Sequence, residues 1–401
     1  MIAYKDYLAL CDSTNSAERG QAAHFAASAF IAHKGPADEN AALYAAVMGF
    51  LDDASVKVRA SLAYGLLHSA KAPRPVMLAL LHDAPIIARA VAQYSPILLD
   101  VDLIGCLTTP NPVMERAIAS RENLGNGVAK LLLARGSAQI ILQLLARQDI
   151  AVDLSTFRQL AAWAEKSPQL RGALLERDDL PGGVRFTLVD QVKQALGALR
   201  IVKGAVAPRR LVRIMRDAQD TAMTSIGELE VENGQTNFLS DLISDGRISA
   251  RLLLHALICG RVQFFAACLG LLTGMPRGKV ISILEKGGRP ALMALFERGG
   301  LGDVSGQLLS SLVGHARTAN LADDISARYF VVTVLIEELI IEFEGAIPEE
   351  LQESFAYLNE QNITLARCSA RGVLASFAQA APSELALPIS HSDGRSLKVA
   401  A

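Results

Sequence analysis

Aromatic residues are scarce in this sequence: Phe, Trp and Tyr together make up 5% of its 401 residues. Because aromatic and β-branched side chains fill the cores of most sheet proteins, this scarcity argues against a β-sheet fold. Hydrophobic residues still reach 51%, and Ala and Leu, which favour helices, dominate them. The composition therefore predicts an all-α protein with sizeable cores.

Signals for disulfides and for secretion are also missing. The five cysteines lie far apart and form no CxxC pair, so they supply neither a disulfide framework nor a zinc-ligand set. The first residues contain no basic segment followed by an apolar one, which a secretory signal requires. We therefore expect a cytoplasmic protein with reduced thiols.

Long uninterrupted apolar runs are absent as well. The most membrane-like stretch, residues 252–275, is interrupted by His255 and Arg261, and the run 329–341 contains two glutamates. A helix that crosses a bilayer needs about 20 predominantly apolar residues. We expect no membrane span, and we interpret residues 252–275 as a buried helical hairpin that turns near Gly260.

Residue patterns that would indicate catalysis, a cofactor or a metal do not occur. There is no HExxH or GxSxG motif, and GMPRGKV at 274–280 has the wrong glycine spacing for a phosphate-binding loop. Glu338 and Glu342 lie one helical turn apart, as in di-iron bundles, but without an accompanying ExxH histidine. We expect no catalytic residues, no cofactor and no metal, and an enzyme on a helical scaffold is the least favoured alternative.

The clearest positive signal is an internal repeat. The segment DDASVKVRASLAYGLL at 52–67 is matched thirty residues later by HDAPIIARAVAQYSPIL at 82–98. A fixed period of this size is typical of stacked helical hairpins. We expect the Asp of each copy to cap the helix that follows it, and Val56 and Ile86 to face inward.

The repeated residues resemble the HEAT repeat, in which an Asp in the hairpin turn and an Arg six residues later form a hydrogen-bonded ladder between neighbouring hairpins. A third copy, PNPVMERAIASREN, keeps the Arg but has Pro110 in place of the Asp. Proline has no side-chain acceptor, so this copy lacks the Asp that a ladder contact requires. The resemblance implies an α-solenoid whose ladder residues are Asp53, Arg59, Asp83, Arg89 and Arg116.

Further matches carry the array towards residue 200. IASRENLGNGVAKLLLARG at 118–136 aligns with LLERDDLPGGVRFTLVDQV at 174–192, and Trp163 lies between them on a side that we expect to face the core. The last helix has an apolar stripe that includes Val184, Leu188, Leu196 and Leu199. We place the repeat array at residues 1–203.

A glycine- and proline-containing break, GAVAP at 204–208, follows the array. We expect a helical domain with basic segments at 204–300, C-terminal helices with an acidic face at 301–380, and a flexible tail at 381–401. Within the C-terminal part the sequence predicts a long helix from 323 to 343 and two more helices, 349–361 and 364–379.

The order of motifs resembles a bacterial family known as domain of unknown function 2336. The resemblance rests on IASRENL, LERDDLP and the block SARLLLHALICGRVQFFAACLGLLTGMPRGKVISILEKGG, which leads into LFERGGL. It covers residues from about 50 to 300. No activity or catalytic residue comes with it.

The formal net charge of −2 conceals blocks of opposite sign. Residues 323–360 contain ten acidic residues and one basic residue, so the basic segments have a possible partner inside the chain. The alternative function is nucleic-acid binding through the basic helices near 209–216 and 277–286, and residues 262–286 have the outline of a helix-turn-helix. Our leading interpretation is a non-enzymatic scaffold that binds another protein through a helical-repeat surface. The candidate contacts to an anionic partner are Arg209, Arg210, Arg213, Arg216, Arg277 and Lys279.

Overall fold

The protein is all-α. The structure, a computed structural model, describes the backbone of residues 4–380 and the side chains of residues 7–375, and every regular element in that part is a helix. The tail expected at 381–401 lies outside the described residues. The chain divides into two compact units, Met1–Val184 and Arg185–Ala401.

The first unit consists of short helices joined by tight turns. In chain order they are α1 (Tyr4–Cys11), α2 (Ser16–Ala32), α3 (Ala37–Leu51), α4 (Val56–Leu66), α5 (Arg74–Leu81), α6 (Pro85–Tyr94), α7 (Asp100–Cys106), α8 (Pro112–Ala119), α9 (Asn126–Arg135), α10 (Ala138–Leu145), α11 (Leu154–Ala164) and α12 (Pro168–Leu175).

Helices two apart in sequence pack side by side in this unit. Helices α2, α4, α6, α8, α10 and α12 form one row of neighbours, and α7, α9 and α11 form part of another. Local sequence fixes where several of them begin: Asn111 and Ser167 accept first-turn amides, and each precedes a proline at the first helical position. Small and branched apolar side chains fill the space between the rows.

Three arginines, of which Arg121 and Arg177 are buried, join consecutive hairpins by capping the carboxyl ends of helices. Arg121 donates to the carbonyls of Ala92 and Ser95 at the end of α6. Arg147 donates to three carbonyls around the end of α8, and Arg177 to three around the end of α10. Helix carboxyl ends leave carbonyls unpaired and carry partial negative charge, so a guanidinium satisfies both requirements. We call these residues the arginine–carbonyl series.

The division into units differs from the predicted boundaries at residues 203 and 300. Helix α13 (Gly182–Ala198) contains the division, and its Phe186 already belongs to the core of the second unit. No break occurs near residue 300, because one continuous core includes side chains as far apart in sequence as Leu253 and Tyr357. The remaining helices are α14 (Arg200–Ala205), α15 (Pro208–Glu232), α16 (Asn237–Ser244), α17 (Ala250–Ile258), α18 (Val262–Thr273), α19 (Arg277–Lys286), α20 (Arg289–Arg298), α21 (Asp303–Ala316), α22 (Ile325–Glu342) and α23 (Glu349–Ala380).

The predicted hairpin at 252–275 is present as α17 and α18, and eight of the nine residues of α17 and eight of the twelve of α18 are buried. The chain turns at Gly260, whose φ of +71° is a left-handed conformation. A Cβ there would also lie 2.5 Å from the Cα of Ala322. Both the backbone angle and the close approach require glycine at this turn.

Candidate functional site

The Asp and Arg residues of the repeat meet between neighbouring hairpins. Arg59 donates two hydrogen bonds to the carboxylate of Asp83, at 2.7 and 2.8 Å, and a third to the carbonyl of Asp53 at 2.7 Å. The carboxylate of Asp53 in turn accepts two hydrogen bonds from Arg19, at 2.8 and 3.1 Å. Each rung therefore joins the Arg of one repeat to the Asp of the next.

These carboxylates do not cap the following helices in the way we predicted. The N-cap positions are Ser55 and Ala84, neither of which makes a side-chain cap bond. Asp53 accepts the Ser55 amide and Asp83 the Ala84 amide, one residue before each helix proper. The Arg59 guanidinium holds the pKa of Asp83 below its ordinary value, and Arg19 does the same for Asp53.

Arg89 and Arg116 occupy the same repeat position as Arg59, but they form no rung. Both are exposed, and neither side chain has an ion-pair partner in the described part of the chain. Arg89 lacks a partner because the next repeat has Pro110 where its Asp should stand. The ladder thus ends at Asp83, and two arginines remain free.

Exposed aliphatic side chains accompany the free arginines. Val56 and Ile86, which we predicted to face inward, are 41% and 63% exposed, and Val113 at the equivalent position of the third repeat is 53% exposed. Ile86 lies three residues before Arg89, a spacing that puts both on one helix face. We call Val56, Ile86, Val113, Arg89 and Arg116 the outer row.

Two tyrosines at matching repeat positions add aromatic surface to the same helices. Tyr64 is 71% exposed and Tyr94 49% exposed. Each ring lies beside a histidine ring, with centroids 5.8 Å apart for His24 and Tyr64 and 5.3 Å apart for His68 and Tyr94. Trp163, expected in the core, is 41% exposed on α11. Periodicity alone did not distinguish its edge position from a buried one.

The basic segment at the start of α15 is partly neutralised within the second unit. Arg213 pairs with Glu360 at 3.3 Å, and Arg216 pairs with Glu353 at 3.2 Å. These pairs join the basic and acidic blocks of the sequence. Arg209 and Arg210 are exposed and have no such partner among the described residues.

The second basic segment lies at the start of α19. Arg277 donates to the carbonyl of Val231 at 3.2 Å, whereas Lys279 is exposed. Helices α18 and α19 meet at a bend of 117°, and together they are long and apolar enough to pass for a broken membrane span. No single helix in residues 4–380 has the length and apolar character needed to cross a membrane.

A buried network of polar side chains connects α15, α17 and α23. Arg251 is 4% exposed, lies 2.6 Å from Asp217 and 3.0 Å from Asp220, and stacks 4.9 Å from the ring centroid of Tyr357. Burial raises the pKa of Asp220 to about 6, an effect that the nearby Arg251 cation opposes. The guanidinium is thus held by two carboxylates and one aromatic face.

A cysteine and a histidine lie together in this network. The Nδ1 of His255 is 2.7 Å from the hydroxyl of Tyr357, and its Nε2 is 3.7 Å from the Sγ of Cys259. Burial, reinforced by the Arg251 charge, lowers the pKa of His255 to about 4, and burial raises the pKa of Cys259. Nucleophilic cysteines need the opposite shifts, so this pair packs the core as neutral groups.

A pocket of about 420 Å³ opens between α20, α21 and α22. On its wall Ser311 donates to Glu338 at 2.5 Å, and His315 lies 3.0 Å from the other oxygen of that carboxylate. In a nucleophilic triad the imidazole stands between the serine and the acid. Here the glutamate occupies the middle, so these three residues are not arranged as such a triad. Within residues 7–375 no three His, Cys, Asp or Glu side chains are grouped to hold a metal ion.

Sequence reasoning missed two contributors to these contacts. The first is Arg19, which forms a rung with Asp53. Its guanidinium also donates to the carbonyl of Ser13, six residues earlier, as the guanidinium of Arg59 donates to the carbonyl of Asp53. Arg147 belongs to the pattern R-x-[DN]-[LI], which starts at 121, 147 and 177. That short pattern is the signal that could have identified the arginine–carbonyl series.

Comparison with known proteins gives a family but no activity. No curated protein matches the chain. One family profile, described as an uncharacterised protein conserved in bacteria (DUF2336), matches residues 87–344, which is more than half of the chain. That region includes the whole arginine–carbonyl series and most of the core of the second unit. The chain belongs to the DUF2336 family of bacterial proteins.

Proposed function

We propose that this protein is a non-enzymatic cytoplasmic scaffold whose first unit, a HEAT-like α-solenoid, binds another protein through the outer row. The observation that carries the proposal is the coincidence of free arginines and exposed aliphatic side chains at equivalent repeat positions. Stacked repeats place equivalent residues side by side, which turns a feature of one hairpin into an extended surface.

The chemistry of the outer row points to an acidic partner segment. Arg59 shows how this position binds a carboxylate with two parallel hydrogen bonds. Arg89 and Arg116 offer the same group without an internal partner, on helices that pack against each other. A partner with two carboxylates about 10 Å apart, the usual distance between packed helices, would complete both rungs.

Apolar contacts would supply the remaining affinity. Ile86 and Val113 flank the two arginines, and Tyr64 and Tyr94 present large, rigid rings nearby on α4 and α6. Interfaces are enriched in tyrosine and arginine, and such residues account for much of the energy of binding. The surface therefore suits a partner segment that alternates acidic and aliphatic side chains.

Site-specific crosslinking tests the proposal. A photoreactive amino acid at Ile86 should give a stoichiometric adduct with one partner protein in cells, whereas the same group at the exposed Lys34 should not. The double substitution R89E/R116E should weaken the adduct by roughly thirtyfold or more, as expected for two interface arginines. The matched control R135E/R158E changes the same charge at exposed positions of the same unit. An adduct that is equal for both double variants would rule the outer row out.

Nucleic-acid binding is the second candidate, and Lys279 together with the bent α18–α19 pair supports it. Arg277 supports it less, because its guanidinium already binds the Val231 carbonyl. The candidate requires an affinity for duplex DNA or RNA that falls steeply with salt and that K279E weakens. Binding that does not depend on salt, or no binding at all, would rule out nucleic-acid binding as the function.

A further inference from the structure

The stretch of sequence around the predicted break, from the end of α13 to the start of α15, has an unusual composition. Between Gln191 and Arg216 the sequence contains seven Lys or Arg residues and no Asp or Glu. The run includes the last part of α13, all of α14 and the first two turns of α15. Such a concentration of one sign of charge favours an anionic ligand.

Four of these cations are available to such a ligand. Lys193 pairs with Asp190, and Arg213 and Arg216 pair with glutamates of α23. The other four are exposed and have no ion-pair partner in the described part of the chain; they are Arg200, Lys203, Arg209 and Arg210.

Large aliphatic side chains are exposed among the free cations. Leu196 and Leu199, which the sequence placed in a buried stripe, are 47% and 48% exposed, while Val184 and Leu188 earlier in that stripe are buried. Ile201 is 77% exposed and Val212 67% exposed. Helix α14 has no buried residue at all. We call residues 196–214 the basic–apolar patch.

We propose that the basic–apolar patch binds the surface of a membrane rich in anionic phospholipids. Its cations meet lipid phosphates, and its aliphatic side chains enter the boundary between headgroups and acyl chains. Interfacial segments of known membrane-binding proteins combine these two features in the same way. Clusters of four or more Lys and Arg residues are also typical of anionic-lipid recognition.

The composition of the patch favours lipid over the other possible occupants. Single-stranded nucleic acid is bound by stacking bases on aromatic rings, and residues 187–237 contain no Phe, Trp or Tyr. Exposed leucine and isoleucine side chains would add no binding free energy against a phosphate backbone. A second copy of the chain that used the same patch would bring four unpaired cations against four others, which repel each other.

Vesicle sedimentation with the full-length protein tests this proposal. The probes are vesicles of pure phosphatidylcholine and vesicles that also contain about 30% phosphatidylglycerol, an anionic lipid. Binding to the anionic vesicles alone is expected. Each Lys or Arg near an anionic surface contributes a factor of about five in affinity, so R209Q/R210Q should bind roughly thirtyfold more weakly.

Two further variants separate charge from apolar insertion. I201S/V212S keeps every cation but should bind about tenfold more weakly or worse, since two exposed aliphatic side chains no longer enter the lipid. K34Q/K71Q removes the same charge as R209Q/R210Q from exposed positions of the first unit and should bind as the wild type does. All four positions of the patch variants are exposed, so circular dichroism and gel filtration should show an unchanged fold.

The proposal is overturned if the protein does not sediment with anionic vesicles, or if it binds neutral vesicles equally well. It is also overturned if both patch variants bind like K34Q/K71Q. Binding of the patch to duplex DNA or RNA in place of vesicles, or concentration-dependent self-association that I201S/V212S abolishes, would assign it to a different occupant.

Discussion

Arg177 should be among the most important single side chains for the stability of the first unit. It is 1% exposed, donates to three carbonyls at the end of α10 at 3.1, 2.8 and 2.8 Å, and lies 5.9 Å from the ring centroid of Phe157. Methionine at this position would preserve much of the side-chain volume but would leave those carbonyls without donors. Each unsatisfied buried polar group costs about 1 to 3 kcal/mol, and partial relaxation gives an expected loss of about 3 to 5 kcal/mol for R177M.

Arg147 provides the internal comparison. It makes the equivalent three carbonyl contacts at the end of α8, but its side chain is 20% exposed. Water can therefore replace part of the guanidinium, and R147M should cost only about 1 to 2 kcal/mol. R135M, an exposed arginine in the last turn of α9, should change stability by less than about 0.5 kcal/mol.

Urea unfolding monitored by tryptophan fluorescence measures these differences. Trp163 is the only tryptophan in the sequence and lies on α11, so its emission reports on the first unit alone. With a slope of about 2 kcal/mol per molar urea, R177M should lower the midpoint by about 2 M and R147M by less than about 1 M. Equal shifts for R147M and R177M, or a shift below about 0.5 M for R177M, would refute the argument from burial.

Four further outcomes follow from the described contacts. D83N should lower the urea midpoint at pH 7, and by a smaller amount in acid, because the stabilisation from the lowered pKa of Asp83 exists above the ordinary carboxyl value and disappears as the pH falls through the lowered one. D220N should stabilise the second unit by about 1 to 2 kcal/mol at pH 7 and should have no such effect below pH 4. Because the pKa of Asp220 is raised, the wild-type protein loses stability as the pH rises through about 6, and asparagine removes this loss. The urea midpoint of D220N should fall as the pH is lowered from about 6.5 towards 4. Over this range the histidine of the unfolded chain takes up a proton, whereas buried His255, with its pKa near 4, does not. The exposed Cys368 should react with a thiol reagent in the native protein, whereas Cys268, whose pKa burial raises, should react only in urea; a native protein with equal reactivity at both would contradict this.

The all-α class and most helix positions were predictable from the sequence because glycine and proline mark the turns between helices. The hairpin expected at 252–275 is observed as α17 and α18, and the long helix expected at 323–343 is observed as α22 (Ile325–Glu342). The break expected after residue 361 is absent, and α23 continues through it. There Asn362 donates to Thr333 on α22 at 2.7 Å. Packing along α22 overrides the weak helix preference of residues 361–363.

The buried face of a helix was less predictable than its position. Val56, Ile86, Leu196 and Leu199 all fit an apolar stripe in the sequence, yet all four are exposed. A stripe shows which residues can be covered, whereas a neighbouring helix decides which of them are covered. Where no neighbour packs, the stripe remains on the surface.

The contacts of the candidate site also differ in how far the sequence predicts them. The Arg59–Asp83 rung joins residues of adjacent repeats, so the repeat itself contains the information needed to expect it. The pair Arg213 and Glu360 joins residues 147 positions apart, and only the packing of α15 near α23 brings them together. The blocks of opposite charge in the sequence indicated that such ion pairs could form, but they did not indicate which arginines would remain unpaired.

In the arginine–carbonyl series each guanidinium belongs to one hairpin and its carbonyl acceptors belong to the hairpin before it. Local opening of a hairpin would strip the next arginine of these carbonyls, which would leave the buried Arg121 and Arg177 with fewer hydrogen-bond partners. Since that loss costs several kcal/mol, the next hairpin would open as well. Residues from about 92 to 180 should therefore resist partial unfolding and proteolytic nicking as one cooperative block, although each hairpin alone is too small to fold.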